Sequence, residues 1–456
     1  MRLFQNNRLQ QGPEAMANDP IRSLLMKMAG PSIVAMLMQA MYNTVDSMFV
    51  ARISDGSLAA VTLAFPVQMI IGALSTGIGV GINSSIARSL GAKKPDQAGQ
   101  AAVNGLMLGL GTVVIMILFA FLGAEAFVRM YTDDPEVLEG GVIYVRTISL
   151  LAFGAIFSQL TFSVLQGSGN MILPMISQLA GGVAVIVLDP ILIFGAHMGV
   201  LGAAVASSTA QTFSMLIGMY GILKVNQKNL QVSFRGFRPS GAIMKDILYV
   251  GIPAALTQAT TSIVAGIVTK QVAAYGTSAI AVYGAFNKLS TFTTLPVFGI
   301  TRGMNPILGF CCGARKRGRF LETEKLAAIA ADSWTSFSWL IFMIIPGLLL
   351  HLMNATDEMM EIGVTSFRLL ALSQLIIGAS IVMVQVFPPV KKSYISMTSA
   401  LFRQLVLLLP LTILFSKAIG LYGIWIVIFL ADELNFLYVI VRNVWLRRKV
   451  LADWDE

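Results

Sequence analysis

The stretch GIGVGINSSIARSLGAKK, residues 77–94, decides the fold because GITRGMNPILGFCCGARK, residues 299–316, repeats it at a constant shift. Seven positions are identical between the two stretches, and three of these are glycines. The same shift pairs residues outside the two stretches: Pro31 with Pro253, Gly141 with Gly363, and Arg146 with Arg368. One register held over more than a hundred residues predicts an internal duplication, so the chain is expected to consist of two similar halves.

The composition predicts a polytopic membrane protein. Of the 456 residues, 56% are apolar and only 12% are charged, with a mean hydropathy of +0.75. Soluble domains carry about 25% charged residues, because polar side chains must cover the outside of a globule. The same values exclude disordered and collagen-like chains. The two cysteines, Cys311 and Cys312, are neighbours and do not form a disulfide framework.

Twelve spans are predicted, since a helix needs about 20 mainly apolar residues to cross the hydrocarbon core. Charge gaps and Gly/Pro breaks place them near 24–51, 58–87, 99–123, 140–166, 171–195, 200–223, 247–274, 279–310, 326–351, 360–387, 394–416 and 421–445. Each half has an even number of spans, so the repeats are parallel. We expect an all-α integral membrane protein with twelve transmembrane helices in two six-helix, pseudo-symmetric lobes around a central cavity.

The domain organisation follows from these spans and from the charges between them. The predicted parts are an N-terminal tail (1–23), an N-lobe (24–223), a basic linker (224–246), a C-lobe (247–445) and a C-terminal tail (446–456). If both termini are cytoplasmic, 22 Lys and Arg residues lie in the inside segments and three in the outside loops. This asymmetry predicts that orientation in the cell's inner (plasma) membrane. It also accounts for the net charge of +9 without nucleic-acid binding.

Several chemistries are not supported by the sequence. The chain has no GxxxxGK[ST] phosphate loop and no HExxH or GxSxG motif. Its two histidines, His197 and His351, are far apart, so no multi-histidine metal site is expected. The glycine run at 77–81 lies inside an apolar helix and favours close helix packing over nucleotide binding. We therefore expect no enzyme, catalytic residue, cofactor or metal, and a channel is also disfavoured because no filter-like loop is present.

Two acidic residues lie deep inside predicted spans. Asp46 lies in the first span and Asp189 in the fifth, whereas their repeat counterparts fall near the apolar residues Val268 and Leu409. Intramembrane carboxylates are costly and are functional sites by default. The alternative is a structural role at an interface or at a helix break, and Asp189-Pro190 is a plausible kink. A carboxyl group withdrawn from water takes up a proton readily, and two together can hold a monovalent cation.

The stretches around these residues carry a family resemblance. They are YNTVDSMFVAR, SVLQGSGN (163–170), VLDPILIF and GVLGAAVASSTAQ in the first half, and MNPILGFCCGAR and FRQLVLLLP in the second. In order and spacing they resemble the multidrug and toxic compound extrusion (MATE) family, in its bacterial DinF-like and MepA-like branch. The resemblance covers about residues 25–445. It implies two six-helix lobes, a monomer, and antiport of organic, often cationic drugs or toxins against H⁺ or Na⁺, hence antibiotic resistance.

The resemblance also assigns site residues in the first lobe. The bending proline of the family falls on Pro31, its tyrosine on Tyr42, its two aspartates on Asp46 and Asp189, and its sixth-span hydroxyl on Ser207. One position departs from the family pattern. The asparagine expected four residues before the second aspartate is Val185, so an oxygen ligand of the family's sodium site is missing and H⁺ is favoured over Na⁺.

Other polar residues inside spans are candidates for the drug cavity or for structure. Gln39, Asn43 and Gln159 could supply the missing oxygen ligand or contact drug, and Thr261 stands where another branch of the family has a glutamate. Three cations either line the second lobe's cavity or extend to helix ends: Lys270, Lys288 and Arg302. Arg403 is expected to have a partner within its lobe. The alternative function is a lipid-linked precursor flippase of the same superfamily, although flippases have more spans and several cavity arginines.

Overall fold

A computed structural model describes residues 12–50, 52, 61–132, 134–226, 230–233, 239–353 and 355–454, except for the side chains of Ser47 and Glu136. The described residues form helices and connecting turns, and they contain no strand. Parts of the predicted tails (1–23 and 446–456) and of the predicted linker (224–246) lie outside the described residues. Those domain boundaries stay predictions.

The helices follow one another along the chain in an order that matches the two predicted halves. They are α1 (Pro13–Asn18), α2 (Ile21–Val50), α3 (Phe65–Gly91), α4 (Pro95–Leu122), α5 (Ala124–Arg129), α6 (Pro135–Leu150), α7 (Ala152–Gly167), α8 (Ile172–Pro190), α9 (Gly199–Tyr220), α10 (Gly241–Ala273), α11 (Thr277–Ala314), α12 (Arg317–Ile344), α13 (Pro346–Leu352), α14 (Asp357–Ala371), α15 (Gln374–Val384), α16 (Ser393–Leu401), α17 (Leu409–Ile419) and α18 (Leu421–Lys449).

These helices confirm the predicted fold class. Within the described residues, nine helices are long and apolar enough to cross a membrane, and two further spans are bent helix pairs. The pair α6–α7 bends by 44° and the pair α14–α15 by 41°. The remaining long helix, α11, has 38 residues and is not among the helices that are apolar enough by this measure; counted with the eleven, it gives the predicted number of twelve.

Three kinds of local structure were missed by the hydropathy pattern. Short helices α1 and α5 lie outside the predicted spans, because six residues cannot cross a membrane, whereas α13 is a separate short helix at the end of the span predicted near 326–351. Most long helices extend beyond their apolar segment, and α10, for example, begins six residues before its predicted span. Wider π-helical turns occur at 191–195, 221–225 and 402–408, where the spacing of apolar residues carries no signal for the change.

The two lobes meet along three helix pairs that obey the pseudo-symmetry. Helix α2 packs on α11, and its symmetry mate α10 packs on α3. The two central helices, α3 and α11, also pack on each other. These central helices carry the repeated stretches 77–94 and 299–316. The duplication therefore builds the interface between the lobes.

Glycines allow the backbones to approach at this interface. A Cβ atom on Gly91 would collide with the carbonyl oxygen of Phe310, and one on Gly313 would collide with the carbonyl oxygen of Arg88. A Cβ on Gly77 would lie 2.7 Å from the carbonyl oxygen of Gly251. The expected role of the 77–81 glycine run in close packing is thus confirmed.

Ion pairs also join the lobes at the end of the interface where Gly91 and Gly313 lie. We call it the basic end, because the predicted inside loops lie there. Asp246 of α10 accepts from Arg88 at 2.6 Å, and its other oxygen pairs with Lys391 at 2.5 Å. Arg88 also donates to the carbonyl oxygen of Pro389 at 3.2 Å. Because these groups belong to both lobes, they stabilise the conformation in which the lobes touch at the basic end.

Candidate functional site: a carboxyl pair in the first lobe

Helix α2 positions three of the candidate side chains on one face. Gln39, Tyr42 and Asp46 follow each other at spacings of three and four residues, which places them in a row along a helix. Pro31 lies inside the same helix, two to three turns earlier, and α2 continues as one helix through it. The Tyr42 ring packs against Gly182 of α8, so this row faces the fifth span.

Asp189 lies at the end of α8, where the helix changes form. The α-helix ends at Pro190, and the π-helical turn Ile191–Gly195 follows. Proline lacks the N–H that a regular helix needs at this point, and the segment continues past Asp189-Pro190 with a change of helix type at the position that the sequence analysis offered as a kink. The Asp189 side chain is 0% exposed, and within the described part of the chain neither carboxylate oxygen has a hydrogen-bond donor.

The carboxyl groups of Asp46 and Asp189 lie within hydrogen-bonding range of each other. The hydroxyl of Ser207 on α9 lies within the same range of Asp46. Two ionised carboxylates at this distance repel each other, and burial away from water strengthens the repulsion. One shared proton, or one bound monovalent cation, removes the repulsion and supplies the partner that the Asp189 oxygens lack. The tertiary structure therefore brings together Tyr42, Asp46, Asp189 and Ser207.

Three further residues complete the surroundings and were missed by the sequence analysis. Tyr144 of α6 is 2% exposed, and both aspartates lie within electrostatic range of its hydroxyl. Gln68 of α3 donates to that hydroxyl at 3.0 Å. Gln178 of α8 forms a side-chain hydrogen bond with Tyr42. A tyrosine inside a span needs a hydrogen-bond partner, and this is the only signal in the sequence that points to Tyr144.

The other candidates are distributed over the rest of the molecule. Val185 is 3% exposed and offers no oxygen one turn before Asp189. Asn43 is exposed on α2, and Gln159 lines a cavity between the lobes that also contains Arg302. Thr261 lies in the second lobe, where it accepts a hydrogen bond from Gln404 at 2.7 Å. Gln159 and Thr261 are thus in different surroundings from the carboxyl pair.

The cations of the second lobe divide into two groups. Lys270 and Lys288 are exposed, whereas Arg302 lines the cavity between the lobes. Arg403 forms a partly buried ion pair with Asp432 of α18. The expected partner of Arg403 within its own lobe is confirmed. Both cysteines are free, as expected.

The fold and the site define a polytopic membrane protein of two duplicated helical lobes, with a buried carboxyl pair in the first lobe. Residues 31–191 and residues 253–414 each match the MatE family model, once in each half of the chain. The chain belongs to this family, as its motifs predict.

Relatives and solved structures agree with this membership. The chain is 23% identical over 438 residues to a multidrug export protein MepA of Staphylococcus aureus, covering 96% of each chain. It is 28% identical over 318 residues to the MepA protein of Staphylococcus haemolyticus, covering 67% of this chain and 68% of the other. The structure matches an outward-facing multidrug resistance MATE family transporter of the MOP superfamily with a TM-score of 0.89 and 26% identity, covering 96% and 99%.

Proposed function

We propose that this protein is a secondary active multidrug exporter that exchanges organic, often cationic drugs for protons by alternating access. The buried pair Asp46–Asp189 carries the proposal, because it is a charge-bearing site in one lobe of a duplicated scaffold. Relatives that share nearly the whole chain length are named multidrug export proteins. The low charge content and long apolar helices suit a protein that works within the lipid bilayer, and we propose that it acts as a monomer.

The donor set around the pair supports a proton rather than sodium as the coupling ion. Sodium is bound by several oxygen ligands, and Val185 supplies none where the family has an asparagine. Besides the two carboxyl groups, only the Ser207 hydroxyl lies within hydrogen-bonding range of Asp46 among the described residues. A proton needs a single carboxylate, and it removes the repulsion between the pair at the same time.

Proton uptake can be linked to a change in α2. With both carboxylates charged, a cation or a cationic drug near the pair is favoured; with one proton bound, that attraction falls. We propose that the singly protonated pair, in which the two carboxyl groups no longer repel each other, allows α2 to bend near Pro31, where the missing backbone hydrogen bond makes a helix easiest to deform. The bend would close the first-lobe cavity and release drug to the outside.

The ion assignment predicts how transport responds to imposed gradients. An inward pH gradient alone should drive drug efflux from proteoliposomes, and a sodium gradient at equal pH should not. The Val185→Asn variant should gain sodium-dependent efflux, because the amide oxygen faces the pair from one turn away on α8. The measurement is the initial rate of efflux of a fluorescent cationic drug under each gradient.

The matched control for this variant is Val187→Asn on the same helix. Val187 is 51% exposed, so its amide would point away from the pair and should leave the ion preference unchanged. Export by wild-type protein with a sodium gradient alone, combined with no export under a pH gradient, would show that the proton assignment is wrong.

The charge asymmetry predicts the orientation of the protein in the membrane. Both termini and the basic end should face the cytoplasm of a cell whose inner (plasma) membrane contains the protein, since 22 basic loop residues lie on that side. A reporter that folds only in the cytoplasm, fused after residue 456, should be active. Activity of an export-dependent reporter at the same position, with the cytoplasmic reporter silent, would reverse the orientation.

A further inference from the structure

A cavity of about 60 Å³ lies between the lobes near the basic end. Helices α3 and α7 of the first lobe, α11 of the second lobe and the turn Pro388–Pro389 form its walls. The polar side chains that line it include Asn83, Gln159, Ser163, Gln166, Arg302 and Asn305. On the same scale a water molecule needs about 10–15 Å³, so the cavity holds a few waters or one small ion with water.

Arg302 is the charged group of this cavity, and no acidic residue is among the described residues that line it. Its guanidinium forms no hydrogen bond or ion pair within the described part of the chain. By contrast, Arg88, Arg403 and Arg447 each pair with a carboxylate. A cation removed from water without a counter-ion is costly. The cavity therefore has an uncompensated positive charge.

The neighbouring groups are suited to complete an anion site. Asn305 lies one turn after Arg302 and brings a side-chain amide to the cavity; its buried Oδ1, an acceptor without a donor among the described residues, calls for a cavity water and not for the anion itself. Gln159 and Gln166 bring side-chain amides from α7, and Asn83 brings a third amide from α3. Amide NH₂ groups and a guanidinium are the donors that hold chloride or a carboxylate. Gly79 leaves the space open, because a Cβ there would collide with Ser163.

We propose that this cavity binds one small monovalent anion, a halide or a short carboxylate such as formate, on the Arg302 guanidinium. Residues of both lobes form the walls, so the anion is enclosed only while the lobes touch at the basic end. Binding therefore stabilises that conformation over one in which the basic end is open. With room for a few waters on this scale, the cavity suits a small anion with its water better than a larger carboxylate such as benzoate.

Thermal unfolding of the purified full-length protein in detergent tests the site without relying on transport. Chloride or formate replaces gluconate at constant ionic strength, and tryptophan fluorescence reports the Tm. A saturating rise of about 3 °C is expected for wild-type protein in chloride and in formate. Benzoate should give no rise. The Arg302→Gln variant should lose the rise, and the Lys288→Gln variant, which removes an exposed cation from the same helix, should keep it.

Several outcomes would overturn the proposal. They are the absence of a rise for wild-type protein, an equal rise for Arg302→Gln, or a rise in benzoate that equals the one in chloride. If Arg302→Gln does not fold, Arg302→Lys replaces it in the test, because lysine keeps the charge but lacks the planar guanidinium group. It should then require at least about tenfold more chloride for the same rise, and an unchanged midpoint would count against the site. Radioactive chloride should bind at one equivalent per wild-type chain.

Discussion

Proteoliposomes containing the Asp189→Asn variant are expected to lose pH-driven drug efflux completely while the protein still binds drug. Asparagine keeps the size and polarity of the side chain, but it cannot release or take up a proton near neutral pH. Since Asp189 and Asp46 lie within hydrogen-bonding range, the Asp46→Asn variant should show the same loss. Without a second ionisable group, the repulsion that distinguishes the two protonation states is absent.

The readouts are initial efflux rate under a pH gradient and equilibrium drug binding by fluorescence polarisation. Asp96→Asn is the matched control, because Asp96 is exposed in the first turn of α4, outside the pair. It should export drug at the wild-type rate. Full drug resistance in cells that produce Asp46→Asn or Asp189→Asn at normal levels would refute the coupling role of the pair.

The second large effect is expected at the contact between the lobes. A valine at Gly91 cannot fit against the carbonyl oxygen of Phe310, and both atoms belong to packed helices that cannot move apart locally. The Gly91→Val variant should therefore be unable to close its basic end and should lose transport. Cys311 and Cys312 lie at the same end of α11, and Cys311 is 0% exposed. Their labelling by a water-soluble maleimide should increase several-fold in the variant.

Gly111→Val provides the control for this substitution. Gly111 also lies in a membrane helix, but a Cβ there would meet no atom within 4 Å. This variant should transport drug and label at the wild-type rates. Wild-type transport by Gly91→Val, or thiol labelling that does not change, would mean that the close approach of α3 and α11 is not needed for the cycle.

The architecture could be predicted because it depends on features that are repeated along the chain. A span is an average over about 20 residues, so single errors do not remove it, and the duplicated stretches 77–94 and 299–316 place the two halves in register. The bent pairs α6–α7 and α14–α15 and the π-helical turns were not predicted. They depend on a few backbone hydrogen bonds, and the hydropathy of the sequence does not change where those bonds change.

The candidate site also has some features that the sequence predicts and others that only the packing of the helices determines. Asp46 and Asp189 could be selected one at a time, because an acidic residue inside an apolar span is conspicuous in any sequence. Their pairing, the approach of Ser207, and the roles of Tyr144 and Gln68 depend on how five helices pack around one point. The surroundings of Arg302 likewise arise where two lobes meet. Composition and local pattern determine which segments enter the membrane, whereas the partners of a buried polar group are set by contacts between residues that are distant in the chain.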